Sequence, residues 1–277
     1  MSYFKVLGLD KEPFSTSPDP AFFYESQEHR AALMRLMIEI RLKRGLSIIL
    51  GDIGTGKTTL SRKLFHMLKE REDIIFHMIL DPTFDTEQIF LESLIRTFKI
   101  EINSLSPTVL DYKEAIKKYL FQKGAEENKI VVLLIDEAQK LNPISLEILR
   151  VLLNYETNEY KLLQLVLLAQ LELLPKLRSM KNLWDRIDLK YVLNPLDEQE
   201  TKEMIQFRLR AAGYTSSVDF FTDEATAEIY RYTQGYPRRI AMICHHALKT
   251  LVMESKPVVD GTLMRELIVK ESKVAIC

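Results

Sequence analysis

Glycine is scarce in this sequence, nine in 277 residues, and cysteine scarcer still, with two. Cys244 and Cys277 stand far apart, with no CxxC and no Cys/His spacing. That excludes a disulfide framework and a structural zinc site. Cys244 is expected to be a small buried apolar residue. A dominant charge is missing too. The formal net charge is −1, so the chain as a whole is no polyanion seeker, although a local basic patch could still serve. Apolar runs such as Ile130 to Ile135 are strand-sized and far short of a membrane span. Met1 to Phe14 shows no basic flank leading into an apolar stretch, so no signal peptide is expected. These absences lead to the expectation of a cytoplasmic protein with no integral membrane segment.

What is present is ample material for a core, with 47% hydrophobic residues. Pro13, Phe14, Pro18, Pro20, Phe22, Phe23 and Tyr24 crowd the first 25 residues. Proline blocks a regular helix there. The aromatics predict an irregular segment packed on the core of the following domain. Ser26 is a candidate N-cap for a helix running to about Arg44, with Leu33, Leu36, Met37 and Ile40 at helical spacing. Strands are expected at Leu46–Leu50, Ile74–Leu80, Ile130–Ile135, Leu162–Leu168 and Leu189–Leu193. Helices are expected between them, at Lys57–Arg71, Thr86–Phe98, Thr108–Gly124 and from Pro143. That alternation is the pattern of a parallel α/β sheet covered by helices on both faces. Beyond Asn194-Pro195 only helical segments follow, at about Asp197–Ala212, Asp223–Thr233, Pro237–Met253 and Gly261–Glu271. The expected division is an N-terminal segment 1–25, an α/β domain 26–195 and a small all-α domain 196–277.

Gly51-Asp52-Ile53-Gly54-Thr55-Gly56-Lys57-Thr58 fits GxxxxGK[ST], with Thr59 next to it. Gly51, Gly54 and Gly56 let the backbone curl until several N–H groups face one anion. The following helix adds its unpaired N–H groups and positive dipole end. Lys57 would reach the β- and γ-phosphates, and the Thr58 hydroxyl would hold Mg²⁺. The motif lies between an apolar strand and an amphipathic helix, which is the context it needs. A second element is Val131 to Ile135 followed by Asp136-Glu137. Asp136 is expected near the metal, and Glu137 to orient or deprotonate the attacking water. A strand ending in two acids is by itself most often a turn; with the glycine loop upstream it points to ATP hydrolysis.

The residues also resemble a known family, the AAA+ ATPases of the ExeA/GspA type, named for a component of bacterial type II secretion. The likeness lies in Tyr3-Phe4, Leu7-Gly8-Leu9, Pro13-Phe14, Pro18-Asp19-Pro20, Phe23-Tyr24, Ser26 and His29. It continues through the glycine loop, Asp136-Glu137-Ala138-Gln139, Leu168-Ala169-Gln170, Arg186-Ile187 and Gly235-Tyr236-Pro237-Arg238-Arg239-Ile240. The resemblance implies a P-loop NTPase fold with a helical lid, and ATP and Mg²⁺ as ligands. It implies that Gln170 is the sensor 1 residue and Arg238 the sensor 2 arginine. Arg186 would be an arginine finger given to the neighbouring subunit, with Arg178 as the fallback. The aromatic N-terminal segment could serve packing alone or flank the adenine. His29 is expected to cap or bridge, and adjacent His245 and His246 to be structural. Two positions depart from the family pattern: Ala169 stands where glycine is usual and Leu171 where proline is usual. Secretion members continue into a membrane span and a peptidoglycan-binding part, and this chain stops at Cys277; the expectation is the ATPase module alone.

The expected activity is that of an oligomeric ATPase, ring or filament, that remodels or regulates a protein partner. Such a protein could lie peripheral to the inner membrane through that partner. The alternative is a DNA-binding transposition helper, for which Lys176, Arg178, Lys181 and Arg186 form a loose basic cluster, as do Arg41, Lys43 and Arg44. A third reading is a nucleotide switch without turnover, against which the intact Glu137 speaks.

Overall fold

Side-chain alternation along the strands decides what each face of the sheet can carry. The computed structural model describes residues 2–15, 19–102, 105–216 and 219–274. Pro18 of the N-terminal signature and Cys277 lie outside the described residues. In chain order the regular elements are α1 (Tyr3–Val6), α2 (Gln27–Arg41), β1 (Leu46–Leu50), α3 (Lys57–Leu68), β2 (Ile74–Ile79), α4 (Glu87–Phe98) and α5 (Val109–Phe121). There follow β3 (Ile130–Ile135), α6 (Pro143–Leu152), β4 (Leu163–Ala169), α7 (Leu173–Ser179), α8 (Lys181–Trp184) and β5 (Ile187–Val192). The last four are α9 (Glu198–Ala211), α10 (Asp223–Thr233), α11 (Pro237–Met253) and α12 (Gly261–Val274). The chain separates into an α/β unit, residues 28–53 and 60–193, and a helical unit, residues up to 27, 54–59 and from 194 onward.

In the α/β unit all five strands are parallel, in the order β2-β3-β4-β1-β5. Leu163, Leu165 and Leu167 of β4 and Val131, Leu133 and Ile135 of β3 turn to one face, among Phe90, Leu94, Ile116 and Leu149 of the helices α4 to α6. Val166, Leu168, Val132 and Leu134 turn to the other, among Leu36 and Ile40 of α2 and Leu60 and Leu64 of α3. Helices therefore cover both faces, and the central strands read as unbroken apolar runs because neither side meets water. Side-chain caps start the helices on the first face. Thr86 accepts from the Ile89 N–H, Thr108 forms a capping box with Asp111, and Asn142 accepts from Ser145 ahead of Pro143.

Edge strand β5 begins at Ile187, earlier than the apolar run Leu189–Leu193 suggested. Its residues alternate, with Asp188 and Lys190 exposed between buried Ile187 and Leu189, as suits a strand with one wet side and a free edge. Helices α7 and α8 are too short to have shown a helical period and were not expected. After α5 the chain adds one π-type turn, Gln122–Glu126.

The helical unit gathers Met204, Ile205, Ile229, Ile240, Ile243, Cys244 and Leu248 into one core. Asp197 and Glu200 form a capping box at α9, and Pro237 opens α11. The N-terminal segment corrects the sequence reading. Leu9 and Phe14, each 1% exposed, and Phe22 at 6% are buried in the core of the helical unit, where packing on the core of the α/β domain was expected. Phe14 meets Phe221 edge-on at 6.0 Å, and the Asp10 N–H donates to the Ala212 carbonyl at 2.8 Å. Burial of each such side chain contributes about 1.5–3 kcal/mol. Local sequence shows that aromatics need a socket but not which surface offers one. His245 Nδ1 pairs with Glu12 at 2.8 Å and His246 Nδ1 with Glu271 at 2.6 Å, so the adjacent imidazoles go to different partners. No helix among the described residues is long and apolar enough to cross a membrane.

Candidate active site

The glycine loop leaves the carboxyl end of β1. The Gly51 N–H donates to the Ala169 carbonyl at 3.1 Å, which carries the β1–β4 ladder one step past the strand. Gly54 at φ +86° and Gly56 at φ +97° take left-handed backbone that side chains resist. The chain then enters α3 at Lys57, with no acid in the first turn of that helix to compete for its N–H groups. Thr55 and Lys57 are 1% and 6% exposed, whereas Ile53 is 64% exposed. Within the helical unit, Gly54 abuts the start of α11. The Arg238 N–H lies 3.4 Å from the Gly54 carbonyl, and a Cβ on Gly54 would stand 3.1 Å from the Arg238 Cβ. Gly235, at φ +73°, sets that entry. A Cβ there would lie 1.8 Å from the Leu196 carbonyl oxygen, so only glycine fits.

The acids after β3 belong to the α/β unit. Asp136 is 2% exposed, and its N–H donates to the Ile79 carbonyl at 2.8 Å. Its Oδ1 accepts from the Glu137 N–H at 2.9 Å. Glu137 sits at φ 52°, ψ 35°, a left-handed conformation that turns the chain sharply off the strand. Glu137 Oε2 accepts from Gln139 Nε2 at 2.7 Å, and Gln139 Oε1 accepts from the Gln170 N–H at 3.1 Å. Gln170 follows β4 directly and is half-buried. The strands are parallel, so Gly51, Asp136, Glu137 and Gln170 all lie at the carboxyl edge of the sheet. The link through Gln139 was not legible beforehand; the only signal was a polar side chain inside the resembling stretch.

Arg186 is placed apart from these. It immediately precedes β5, at the amino edge of the sheet, and its Nη1 donates to the Arg150 carbonyl at 3.0 Å. It lines a cleft of about 600 Å³ with Arg44, Lys161 and Asp188. Burial pushes the Asp188 carboxyl up, against the opposing pull of Arg44, Lys161 and Lys190. The strands between the two edges, of five to seven residues, are about 16 to 23 Å long at about 3.3 Å per residue. Of the fallback and the other cations, Arg178 lies over the Trp184 ring at 5.7 Å, and Lys176 donates to the Gln139 carbonyl at 2.7 Å.

These residues fit a phosphate chain with a hard divalent cation. The glycine backbone and the helix start supply N–H donors for phosphate, and the Asp136 carboxylate of the α/β unit is an oxygen ligand of the type Mg²⁺ takes. Among the described residues no group of three or more His, Cys, Asp or Glu could hold a metal alone. A cation that completes its shell with phosphate oxygens and water needs no such group.

Known proteins share this pattern. The sequence profile of an AAA domain matches residues 40–177. The chain is 38% identical over 248 residues to general secretion pathway protein A of Aeromonas hydrophila, covering 89% of this chain and 44% of the relative's length. The chain thus spans less than half of that protein. Among solved structures it is similar to the ORC2 protein of Aeropyrum pernix in its ADPNP–ADP complexes, with TM-score 0.66 and 16% identity over 94% of this chain and 71% of that one. It is also similar to the RuvB Holliday junction branch migration motor of Thermotoga maritima, with TM-score 0.57 and 15% identity over 90% of this chain and 72% of that one. At such identities the two structures speak to the fold alone, a parallel sheet of the P-loop AAA+ kind.

Proposed function

Because the chain belongs to the AAA ATPases of the ExeA/GspA type, we propose that it binds ATP with Mg²⁺ and hydrolyses it at sites completed by a second copy of itself. The observation that carries the two-copy part is the position of Arg186. It lies at the edge of the sheet opposite to Gly51, Asp136 and Glu137, about one strand length away. An arginine so placed cannot serve the phosphates of its own chain and is better placed to serve those of a neighbour.

In this reading the N–H groups of Gly51 to Thr59, Asp52 and Ile53 included, bind and orient the phosphates, and Lys57 draws charge from the β- and γ-oxygens. Thr58 and Asp136 hold Mg²⁺, which when bound neutralises phosphate charge as the bond to the leaving group breaks. Glu137 orients the attacking water and accepts its proton at a carboxylate oxygen. Gln170 contacts the γ-phosphate or that water. Arg238 contacts the phosphates, and its start against Gly54 supports this role. Arg186 of the neighbouring copy stabilises charge developing on the γ-phosphoryl group. Arg178 is less suited to that role, since it already lies over Trp184.

By its printed name the relative from Aeromonas hydrophila serves a general secretion pathway. For this chain we extend that to an accessory ATPase that acts on the cytoplasmic side and regulates or remodels a protein assembly of the export type. We do not carry forward the duplex-DNA reading. Lys176 is engaged with backbone carbonyls and Arg178 with Trp184.

The test is phosphate release together with particle mass by light scattering, with and without ATP. The expected result is Mg²⁺-dependent turnover that rises more steeply than protein concentration as larger species form with ATP. Turnover strictly proportional to protein concentration, from a chain that stays monomeric in ATP, would overturn the two-copy site.

A further inference from the structure

Gln139 is a buried amide, 6% exposed, in the turn after β3. Both ends of that amide are in use, at 2.7 Å to Glu137 Oε2 and at 3.1 Å to the Gln170 N–H. The second contact fixes the first. A backbone N–H can only donate, so the amide oxygen must face Gln170. The amino end is then left for the carboxylate, which can only accept. The backbone at Gln139 is anchored in turn, because Lys176 Nζ donates to the Gln139 and Leu141 carbonyls at 2.7 and 3.4 Å. Glu137 needs such a hold. Its left-handed backbone carries the side chain away from the ordinary continuation of β3, and its free carboxylate could take several rotamers.

We propose that Gln139 is the positioning residue for Glu137. It fixes the direction of the carboxylate and ties it to the end of β4, so that a displacement at Gln170 reaches Glu137 through a single amide. Oε2 is taken by the amide, and the carboxylate keeps acceptor capacity for a water. This role rests on the reading of Glu137 as the group that orients the attacking water. Gln139 itself touches neither substrate nor water in this account.

The test compares the full chain with Gln139→Leu and Gln139→Glu. Exchange of the Gln170 amide hydrogen is followed by NMR in nucleotide-free protein, and binding of a fluorescent ATP analogue, kcat and KM are measured. Gln139→Leu should speed exchange at Gln170 by about tenfold or more, since its acceptor is gone. It should leave analogue binding within about twofold and lower kcat by about tenfold, the usual scale for loss of a supporting hydrogen bond. Gln139→Glu keeps the acceptor for Gln170 but sets a second carboxylate against Glu137. Exchange should stay slow while kcat falls by about tenfold or more with analogue binding kept within about twofold, because like charges drive the two carboxylates apart and turn Glu137 away. A merely structural role would lower analogue binding and kcat together.

An unchanged kcat in Gln139→Leu, a loss of analogue binding as large as the loss of kcat, or an unchanged kcat in Gln139→Glu would each overturn the proposal. A wild-type chain that turns over no ATP would overturn the hydrolysis reading and this role with it. Wild-type turnover together with an unaffected Gln139→Leu would overturn this role alone.

Discussion

The two edges of the central sheet carry opposite chemistry. The carboxyl edge gathers the groups proposed to bind phosphate and activate water: the loop from Gly51, the acids Asp136 and Glu137, and Gln170. The amino edge carries Arg186, at the rim of a cleft that holds both Arg44 and Asp188. The carboxyl edge is assembled from three neighbouring strands, β3, β4 and β1, whose backbone hydrogen bonds hold its parts in register. The arginine at the amino edge donates to the Arg150 carbonyl and feels the Glu147 carboxylate. In the proposed two-copy arrangement the difference would let one fold supply half of each of two sites, with groups fixed by the strand ladder at one edge and a cation for a neighbour at the other.

Removing the amino-edge cation is the largest way to break that comparison. Arg186→Ala should lower turnover by about 10³-fold, the lower range for such arginines, with ATP-analogue binding by the isolated chain unchanged, as read by phosphate release and fluorescence titration. On the carboxyl edge, Glu137→Gln should lower kcat by about 10²-fold or more and keep ATP bound. A single-turnover assay that separates binding from bond breaking checks this. Equal losses in binding from both variants would erase the distinction between the edges. The Gln139 substitutions come next, at about tenfold in kcat, and ask whether the carboxyl edge acts as one linked unit.

The smallest effect concerns the frame behind that edge. The His77 ring on β2 lies tilted against Phe98, with centroids 4.8 Å apart, and its Nε2 is 2.9 Å from the Tyr119 hydroxyl. Burial pushes its imidazole down to about 4. The unfolded chain takes up a proton near about 6.5, whereas the folded chain resists until about 4. Protons in that window therefore favour unfolding. The melting temperature should fall as pH is lowered from about 6.5 to about 4, and His77→Phe should flatten part of that fall. A wild-type slope unchanged by the substitution would remove His77 as its cause.

What was legible in the sequence was what depends on close neighbours. The GxxxxGK[ST] run fixes its own backbone through Gly54 and Gly56, and the central strands show themselves as apolar runs because both faces are covered. Asp136-Glu137 could be read from the end of such a run. Edge strand β5 was read late because Asp188 and Lys190 interrupt its apolar pattern on the wet side. The N-terminal aromatics announced burial but not the helical core around Met204 and Ile240 that receives them. Gln139 stayed hidden because its role depends on β3 and β4 lying side by side, a pairing between segments some thirty residues apart that no local pattern encodes. The helix start at Arg238 was visible through Gly235 and Pro237, while its closeness to Gly54 required the folded chain.

The most direct test of a site shared by two copies is to mix the two inactive variants. Arg186→Ala keeps an intact carboxyl edge and lacks the arginine; Glu137→Gln keeps the arginine and lacks the group that activates water. In a mixture, each site of an Arg186→Ala chain can receive the arginine of a Glu137→Gln neighbour. The account predicts ATP turnover in the equimolar mixture well above the sum of the two variants alone, growing with total protein concentration. Turnover no greater than that sum, in mixtures shown by scattering to contain assembled species, would contradict it.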